Sequence, residues 1–198
     1  MVTDGPPRVP SSATAEDGTR ASTFAAVLAA ASQGRPEGFS HLWTEYAPPV
    51  RAFVTRLGCA EPDETVNDVF AQVFARIDRF RGDEPGFRGL LFTVARRRVV
   101  DARRRRGREV STVPLEAMFD DERGPSQEGP AKVEQLDAVR ALLGCLTDDQ
   151  RHVVLLRVIA DLDIGQTAAV MGRRPGAVKA LQARALARLR ECATEGER

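Results

Sequence analysis

The stretch that decides the fold runs from Leu146 to Arg190 and reads LTDDQRHVVLLRVIADLDIGQTAAVMGRRPGAVKALQARALARLR. Thr147 and the two aspartates after it are typical of a helix start, because a hydroxyl caps the first backbone N–H groups and carboxylates favour the positive end of the dipole. Asp163 predicts a second, short helix, which Gly172 ends in the left-handed conformation of a tight turn. Pro175 is favoured in the first turn of a third helix. The last two helices are predicted to form a helix-turn-helix.

The third helix predicted from this stretch has an apolar stripe and a basic face. Its stripe recurs at helical spacing and consists of Val178, Leu181, Ala185 and Leu189. Arg and Lys side chains reach guanine edges or phosphates, and small residues such as Gly176 and Ala180 permit close approach to DNA. The pattern favours a helix that enters the major groove. A packing unit of three helices with a solvated basic face is the alternative.

Charge is unevenly distributed along the chain. The 198 residues suffice for one or two domains with hydrophobic cores. The formal net charge is only +1, yet arginines cluster at 96–98, within 103–108 and within 173–190, with acidic residues between the clusters. This pattern indicates a polyanion contacted at two places. Because the sequence has neither a signal-peptide pattern nor an apolar run of roughly 20 residues, we expect a cytoplasmic location and no membrane insertion.

The residues that usually carry catalysis or metal binding are few and scattered. Cys59, Cys145 and Cys192 match no zinc or redox spacing, so we expect reduced, half-buried thiols. His41 and His152 are isolated in the sequence, which predicts no metal site and no cofactor. No Gly-rich phosphate loop, nucleophile elbow or pairing of His with carboxylate occurs, so we expect that the chain is not an enzyme.

The N-terminal half predicts a further helical unit. Residues 1–35 are predicted to be a disordered extension, in which only the Ala-rich 22–32 favour a short helix. Apolar residues follow helical spacing over 36–57, where Pro48 and Pro49 are expected to kink or split the helix near Ala47. The segment from Asp63 to Asp78 has apolar residues at i, i+3, i+4, i+7, i+8 and i+11, which predicts a core helix.

A second arginine-rich helix is predicted after a Gly- and Pro-containing loop at 80–86. Its sequence from Phe87 to Arg106 is FRGLLFTVARRRVVDARRRR. At roughly 100° per residue, one face combines an aromatic ring with arginines; its members are Arg88, Phe92, Arg96, Val99 and Arg103. Such a face is expected to grip a strand backbone and stack a base. A solvated basic helix with one stray Phe is the alternative.

The predicted fold class is therefore all-α. Two small helical domains are expected at 36–107 and 132–193, joined by a flexible linker at 108–131 that is rich in Gly, Pro and acidic residues. The second domain is expected to begin with a helix over 133–146 that packs on the three helices of the opening stretch.

In this order and spacing, the chain resembles a bacterial RNA polymerase sigma factor of the extracytoplasmic-function (ECF) group of the sigma-70 family. The resemblance covers about residues 36–191 and is carried by DETVNDVFAQVFARIDRFRG at 63–82, by the 87–106 segment and by the 146–190 stretch. It implies that the first domain is the helical bundle of region 2 and that the second is the helix-turn-helix of region 4. Leu90 departs from the family, which often has Trp there, and Thr147 stands where Pro is usual.

The resemblance also implies roles for individual residues. Region 2 would bind the clamp of the polymerase β′ subunit through Asp68, Gln72 and Arg76, with Phe70 and Phe74 supporting them from the core side. The positions that would read and melt the −10 element are Arg81, Asp83, Phe87, Arg88, Phe92, Arg96, Arg97 and Arg103. The positions that would read the −35 element are Arg173, Arg174, Lys179, Ala180, Arg184 and Arg188.

The partners implied by the resemblance are core RNA polymerase (β′ clamp and β flap), promoter DNA and an anti-sigma factor. The alternative function is a dimeric helix-turn-helix regulator that binds a palindromic site without polymerase. That alternative does not account for the arginine cluster of the first domain, which a dimerisation module would not need.

Overall fold

The computed structural model describes residues 23–109 and 138–196, and every regular element within them is a helix. The elements are α1 (23–32), α2 (Pro36–Arg56), α3 (Pro62–Phe74), a 3-10 turn (Ile77–Arg79), α4 (Glu84–Glu109), α5 (138–144), α6 (Asp148–Val158), α7 (Ile164–Met171) and α8 (Pro175–Gly196). The all-α prediction is confirmed. From residue 110 the predicted linker lies outside the described residues, as do 1–22.

Helices α2, α3 and α4 form the core of the N-terminal domain by burying the apolar stripes seen in the sequence. The side chains that are at most 1% exposed include Leu42, Val50, Phe53, Val69, Phe70, Leu91 and Phe92. Burial of each such side chain contributes about 1.5–3 kcal/mol relative to exposure. Helix α4 begins at Glu84 rather than at Phe87, because the Asp83 carboxylate accepts a hydrogen bond from the Gly86 N–H at 2.9 Å and caps the first turn.

The prediction that Pro48 and Pro49 split the second helix is wrong. Helix α2 runs without interruption across both prolines. Leu42 and Tyr46 before the prolines and Val50 after them are all buried in the same core. Burial on both sides of the prolines therefore keeps α2 continuous, although two backbone N–H donors are missing.

The expectation of disorder throughout 1–35 is wrong for residues 23–35, whereas the short helix predicted there is confirmed from residue 23. Phe24 of α1 is buried with its ring centroid 5.7 Å from that of Phe87. Ser32 donates a hydrogen bond to the Ile77 carbonyl at 3.3 Å. Gly38 passes so close to Ala31 that an added Cβ would clash with its backbone. Helix α1 is thus part of the domain.

The capping residues of the C-terminal domain act as their sequence predicts. Thr147 and Gln150 form a capping box, in which each side chain accepts a hydrogen bond from the other residue's N–H, and Asp163 and Gln166 form a second one. Gly172 ends α7 at φ 63°. These local signals set the start of α6 and the turn of the helix-turn-helix.

Two links, one local and one long-range, hold the outer helices of this domain. Arg151 of α6 is 2% exposed and donates hydrogen bonds to the carbonyls of Leu143 and Leu146 at 3.0 and 3.2 Å. Cys145 and Cys192 form a disulfide across 47 residues of sequence. The expectation of reduced thiols is wrong for this pair, because folding brings together two cysteines that sequence spacing does not relate. Cys59 is a free, half-buried thiol.

Candidate nucleic-acid interface

The outward face of α8 is the more open of two basic surfaces. Two features fix where α8 begins relative to α7. One is the turn at Gly172, and the other is a hydrogen bond from the Arg173 N–H to the Ala168 carbonyl at 2.9 Å. Val178 and Ala185, on the inner side of α8, are fully buried. Arg174 is exposed immediately before the helix, and the exposed positions of its first half include Gly176, Lys179, Ala180, Ala183 and Arg184. This half combines basic side chains with small residues, as a helix in a major groove requires.

The predicted −35 residues differ in their local contacts. Arg174, Lys179 and Ala180 are exposed, and Arg184 is exposed with its Nε donating to the Ala180 carbonyl at 3.2 Å. Two others are paired within the C-terminal domain. Arg173 forms a salt bridge with Asp149 of α6. Arg188 forms one with Glu191 of α8, at 3.1 Å.

The second basic surface lies along α4, where Arg88, Arg96 and Arg103 form what we call the arginine stripe. Its members recur at intervals of eight and seven residues, so they lie on one side of the helix. All three are partly buried, and α4 packs along this side against α7 of the C-terminal domain. Arg97, in contrast, is exposed.

Carboxylates of the C-terminal domain meet the arginine stripe; we call Asp148, Asp149 and Asp161 the carboxylate set. Arg88 lies 3.2 Å from Asp161 and 3.1 Å from Glu84 of its own helix. Arg103 lies 3.0 Å from Asp148. From the sequence, Asp148 and Asp149 were predicted only to stabilise a helix start. No local signal in the sequence relates these carboxylates to arginines 45 or more residues away.

Arg96 lies between the other two arginines of the stripe in a strongly basic environment. Burial lowers the pKa of its guanidinium, and the nearby Asp149 carboxylate opposes that shift. Arg97, Arg104 and Arg173 lower this pKa further by repulsion. The Nε of Arg96 is buried without a hydrogen-bond partner among the described residues. The middle of the stripe therefore favours an additional anion.

The loop before α4 presents one basic side chain to solvent. Arg81 is exposed and donates hydrogen bonds to the carbonyls of Asp78 and Phe80 at 2.7 and 2.9 Å. Asp83, the other predicted −10 residue here, caps α4 as described above. This loop, α1 and α7 line a cleft of about 820 Å³. The cleft has room for a planar group the size of a base.

The prediction that Phe87 and Phe92 contact a base is contradicted by their burial. Phe92 is 1% exposed and meets the Phe53 ring edge-on at a centroid distance of 5.2 Å. Phe87 is fully buried against Tyr46 and Phe80. Val99, placed on the same face by the helical wheel, is also buried. Because α4 packs against helices on more than one side, its buried sector is wider than a single stripe.

Helix α3 carries two of the three predicted polymerase-binding positions, Asp68 and Gln72, on its exposed side. Asp68 lies 2.5 Å from Arg98 of α4, and the Arg98 guanidinium also reaches Gln72 at 3.4 Å. Arg76, the third position, is exposed two residues beyond the end of the helix, where it precedes the 3-10 turn. Phe70 is buried beneath this face and Phe74 is half-buried, as expected of supporting residues. Arg98 was not singled out from the sequence, yet it holds two of the three predicted positions.

Among the described residues, 23–109 and 138–196, no cluster of His, Cys, Asp or Glu has the arrangement of a metal site. The same part of the chain contains no helix that is both long and apolar enough to cross a membrane.

An arginine-bearing helical bundle combined with a helix-turn-helix is the architecture of a DNA-binding transcription protein. The chain matches the models of sigma-70 region 2 over residues 42–109 and of sigma-70 region 4 over 136–189. The chain therefore belongs to the sigma-70 family, within its ECF group. Members of this family are non-catalytic transcription initiation factors.

Similar proteins agree with this assignment. The ECF RNA polymerase sigma factor SigD of Mycobacterium tuberculosis is 30% identical over 151 residues, which are 72% of this chain and 70% of SigD. The ECF sigma factor ShbA of Streptomyces griseus is 30% identical over 138 residues, which are 67% of this chain and 72% of ShbA. Among solved structures, the sigma factor RpoE of Bartonella quintana, in complex with the anti-sigma factor NepR, is 26% identical in sequence to this chain. That match has a TM-score of 0.63 and covers 79% of this chain and 96% of that chain.

Proposed function

We propose that this chain binds core RNA polymerase in the cytoplasm, directs it to promoters with defined −35 and −10 elements and assists opening of the duplex. The observation that carries the proposal is the pair of basic surfaces, on α4 and on α8, in a chain of the ECF group. Bound to one promoter, the two surfaces would contact two separate elements.

In region 4, the exposed half of α8 is proposed to read the −35 element in the major groove. Arg174, Lys179 and Arg184 would reach base edges or phosphates, and Ala180 would allow close approach. Arg173 and Arg188, which are paired with Asp149 and Glu191, would supply phosphate contacts once those pairs exchange. Contact with the polymerase β flap is proposed for the same domain.

In region 2, the arginine stripe, Arg81 and Arg97 are proposed to hold the melted −10 strand. A base extruded from the duplex would enter the cleft that the 80–85 loop and α1 form together with Asp161, Asp163 and Gln166 of region 4. Extrusion costs a few kcal/mol of unstacking, and contacts of arginines with the extruded strand offset that cost. Because Phe87 and Phe92 belong to the core, arginine contacts rather than aromatic stacking carry this step in the proposal.

The exposed side of α3 is proposed to dock on the β′ clamp through Asp68, Gln72 and Arg76. Arg98 would act as a positioning residue, since it is bonded to Asp68 and Gln72 in the free chain. An anti-sigma factor is also proposed as a partner, because the structural relative from Bartonella quintana was solved with one.

The deciding experiment measures binding of the full chain to bacterial core RNA polymerase and then transcription from genomic DNA fragments. Tight binding and new, discrete start sites are expected, and the mapped starts would reveal both promoter elements. Retention of duplex DNA without any polymerase binding would instead favour the dimeric regulator. A chain that bound polymerase but produced no new starts would contradict the promoter-reading part of the proposal.

A further inference from the structure

We propose that the Cys145–Cys192 disulfide is a reversible redox switch, which holds the end of α8 in place for DNA binding when oxidised and releases it when reduced. We call residues 186–196, which form that end, the α8 tail. The inference rests on the proposed function for its DNA-binding part and for the compartment. The opening of the bond and the release of the tail concern region 4 alone.

The compartment makes a permanent disulfide at this position unexpected. The proposed function requires the cytoplasm, where thiol reductants keep most cysteines reduced. A disulfide that forms there is usually transient and responds to redox conditions. Cys145 and Cys192 are both partly exposed at the surface of region 4, within reach of a small thiol. The pair therefore has the location of a switch rather than of a permanent cross-link.

One side of the bond is fixed by packing that does not depend on the disulfide. Cys145 lies in the turn between α5 and α6. Leu143 and Leu146, on either side of it, are buried, and their carbonyls accept hydrogen bonds from the buried Arg151 side chain at 3.0 and 3.2 Å. Reduction of the disulfide therefore leaves this turn in place.

The other side of the bond, the α8 tail, is held weakly apart from the disulfide. Among the α8 residues up to Thr194, Ala185 is the last that is buried, and Leu189 is partly exposed where it packs against the core. The side-chain contacts from Arg188 to Glu191 and from Thr194 to the Glu191 carbonyl stay within the tail, so they do not attach it to another helix. Reduction therefore frees the tail to fray.

The redox step is a thiol–disulfide exchange with a small disulfide such as oxidised glutathione. The thiolate of one cysteine attacks this disulfide, forms a mixed disulfide and releases one molecule of reduced glutathione. The thiolate of the second cysteine then attacks the protein sulfur of the mixed disulfide, and the second glutathione leaves. The two protein thiols lose two electrons and two protons, which the small disulfide gains. Reduced glutathione reverses both steps.

The α8 tail carries part of the surface that is proposed to contact DNA. Arg188, the proposed phosphate contact, lies in the tail, whereas Lys179 and Arg184 lie in the half of α8 that Val178 and Ala185 anchor. A released tail must be ordered again before it contacts DNA, which costs conformational entropy. The oxidised chain should therefore bind duplex DNA more tightly than the reduced chain.

The test follows the full chain in buffers of oxidised or reduced glutathione. Thiol alkylation with mass spectrometry measures the oxidised fraction, hydrogen exchange reports fraying of the α8 tail, and anisotropy measures binding to a fluorescent duplex of random sequence. Cys145→Ser and Cys192→Ser remove the bond from either side. Cys59→Ser is the matched control, because it removes a thiol and keeps the pair. Circular dichroism establishes that the helices are retained in each state.

The bond of the native chain is expected to form in oxidised glutathione and to open in reduced glutathione, reversibly. At short labelling times, reduction should remove protection from the α8 tail while 175–185 stay protected. Affinity for the duplex should fall about threefold, as the loss of one screened ionic contact implies. Cys59→Ser should repeat these responses, whereas Cys145→Ser and Cys192→Ser should match the reduced native chain in both buffers.

A bond that persists in reduced glutathione, or two thiols that persist in oxidised glutathione, would overturn the switch. Equal protection of the α8 tail in both states would overturn its release. Loss of protection with unchanged duplex affinity would overturn the control of DNA binding. If neither state bound the duplex, the proposed −35 role would be refuted together with its redox control, while alkylation and hydrogen exchange would still decide the switch.

Discussion

Helices α4 and α8 are both long and arginine-bearing, yet their arginines lie in opposite environments. Arg174, immediately before α8, and Arg184 within it project into solvent. On α4, Arg88 and Arg103 are only 19% and 21% exposed and pair with carboxylates of the other domain. An arginine-rich helix therefore predicts a surface that binds anions, but not whether an anion of the same chain already occupies it.

The two helices also differ on their inner sides. Helix α4 buries Phe87, Leu91, Phe92, Ala95 and Val99, each at most 1% exposed, whereas α8 buries Val178 and Ala185 to that extent. Helix α4 is thus a central element of the core that also carries a binding surface. Helix α8 is a peripheral element, tied near its C-terminal end by the Cys145–Cys192 disulfide.

The largest effect is expected from Phe92→Ala, which tests whether the inner side of α4 is core. Removing a buried ring leaves a cavity and costs about 3–5 kcal/mol of unfolding free energy. Trp43 is the single tryptophan and lies in region 2 against Phe70, so its fluorescence follows denaturant unfolding of this domain. Arg97→Ala, at an exposed position of the same helix, should change stability little. Native stability in Phe92→Ala with a defect only in duplex opening would restore the base-stacking role.

The second-largest effect is expected from loss of the disulfide that anchors α8. Cys145→Ser is expected to destabilise region 4 by about 2–4 kcal/mol, because the disulfide closes a 47-residue separation and restricts the unfolded chain. Denaturant unfolding followed by circular dichroism should show the loss, and reductant should reproduce it in the native chain. Cys145→Ser should itself be insensitive to reductant, whereas Cys59→Ser, the matched control, keeps the disulfide and should lose stability with reductant as the native chain does. An unchanged transition in Cys145→Ser would mean that α8 is held by packing alone.

Local sequence signals predicted the frame of region 4 well. The capping boxes of Thr147 and Asp163 and the left-handed Gly172 depend on residues three or four positions apart, so spacing alone identifies them. The exposed basic half of α8 follows from the same periodicity, because this helix is covered on one side.

The errors concern contacts between distant segments. The helical wheel placed Phe92 beside the arginines because it assumes a single buried sector, whereas α4 packs against α2, α3 and α7. The Cys145–Cys192 disulfide and the pair of Arg103 with Asp148 join residues 47 and 45 apart. No periodicity in the sequence relates such residues, so these features emerge only from the folded chain.

A smaller effect is expected from Arg184→Ala, which tests the open surface of α8. Loss of one base or phosphate contact should reduce use of −35-containing promoters about tenfold, since a specific contact contributes about 1–3 kcal/mol. Binding to core polymerase should stay unchanged in a pull-down. Arg190→Ala, an exposed arginine further along the same helix, should leave promoter use nearly intact. An equal fall in polymerase binding would contradict the division of labour between the two domains.

The smallest effect is a pH dependence at the contact between the two domains. His152 of α6 is 3% exposed, and its Nδ1 donates a hydrogen bond to the Asp148 carbonyl at 2.6 Å. Burial is the main cause that lowers its pKa; Arg96 and Arg103 of α4 lower it further, and the Asp148 carbonyl and carboxylate oppose the shift. Its Nε2 is buried without a partner among the described residues. A proton there would therefore be poorly solvated.

Because the pKa of His152 is lower in the folded chain, the unfolded state binds more protons as the pH falls below about 6.5. The free energy of unfolding of region 4 should therefore be constant above that pH and fall below it, by no more than about 1.4 kcal/mol per pH unit for one proton. Denaturant unfolding by circular dichroism between about pH 7.5 and 5.5 measures this slope, above the range where carboxylates titrate. His152→Gln should flatten it, while His41→Gln at an exposed site of α2 should not. A slope that persists in His152→Gln would assign the acid sensitivity to groups other than the imidazole packed beneath the arginine stripe.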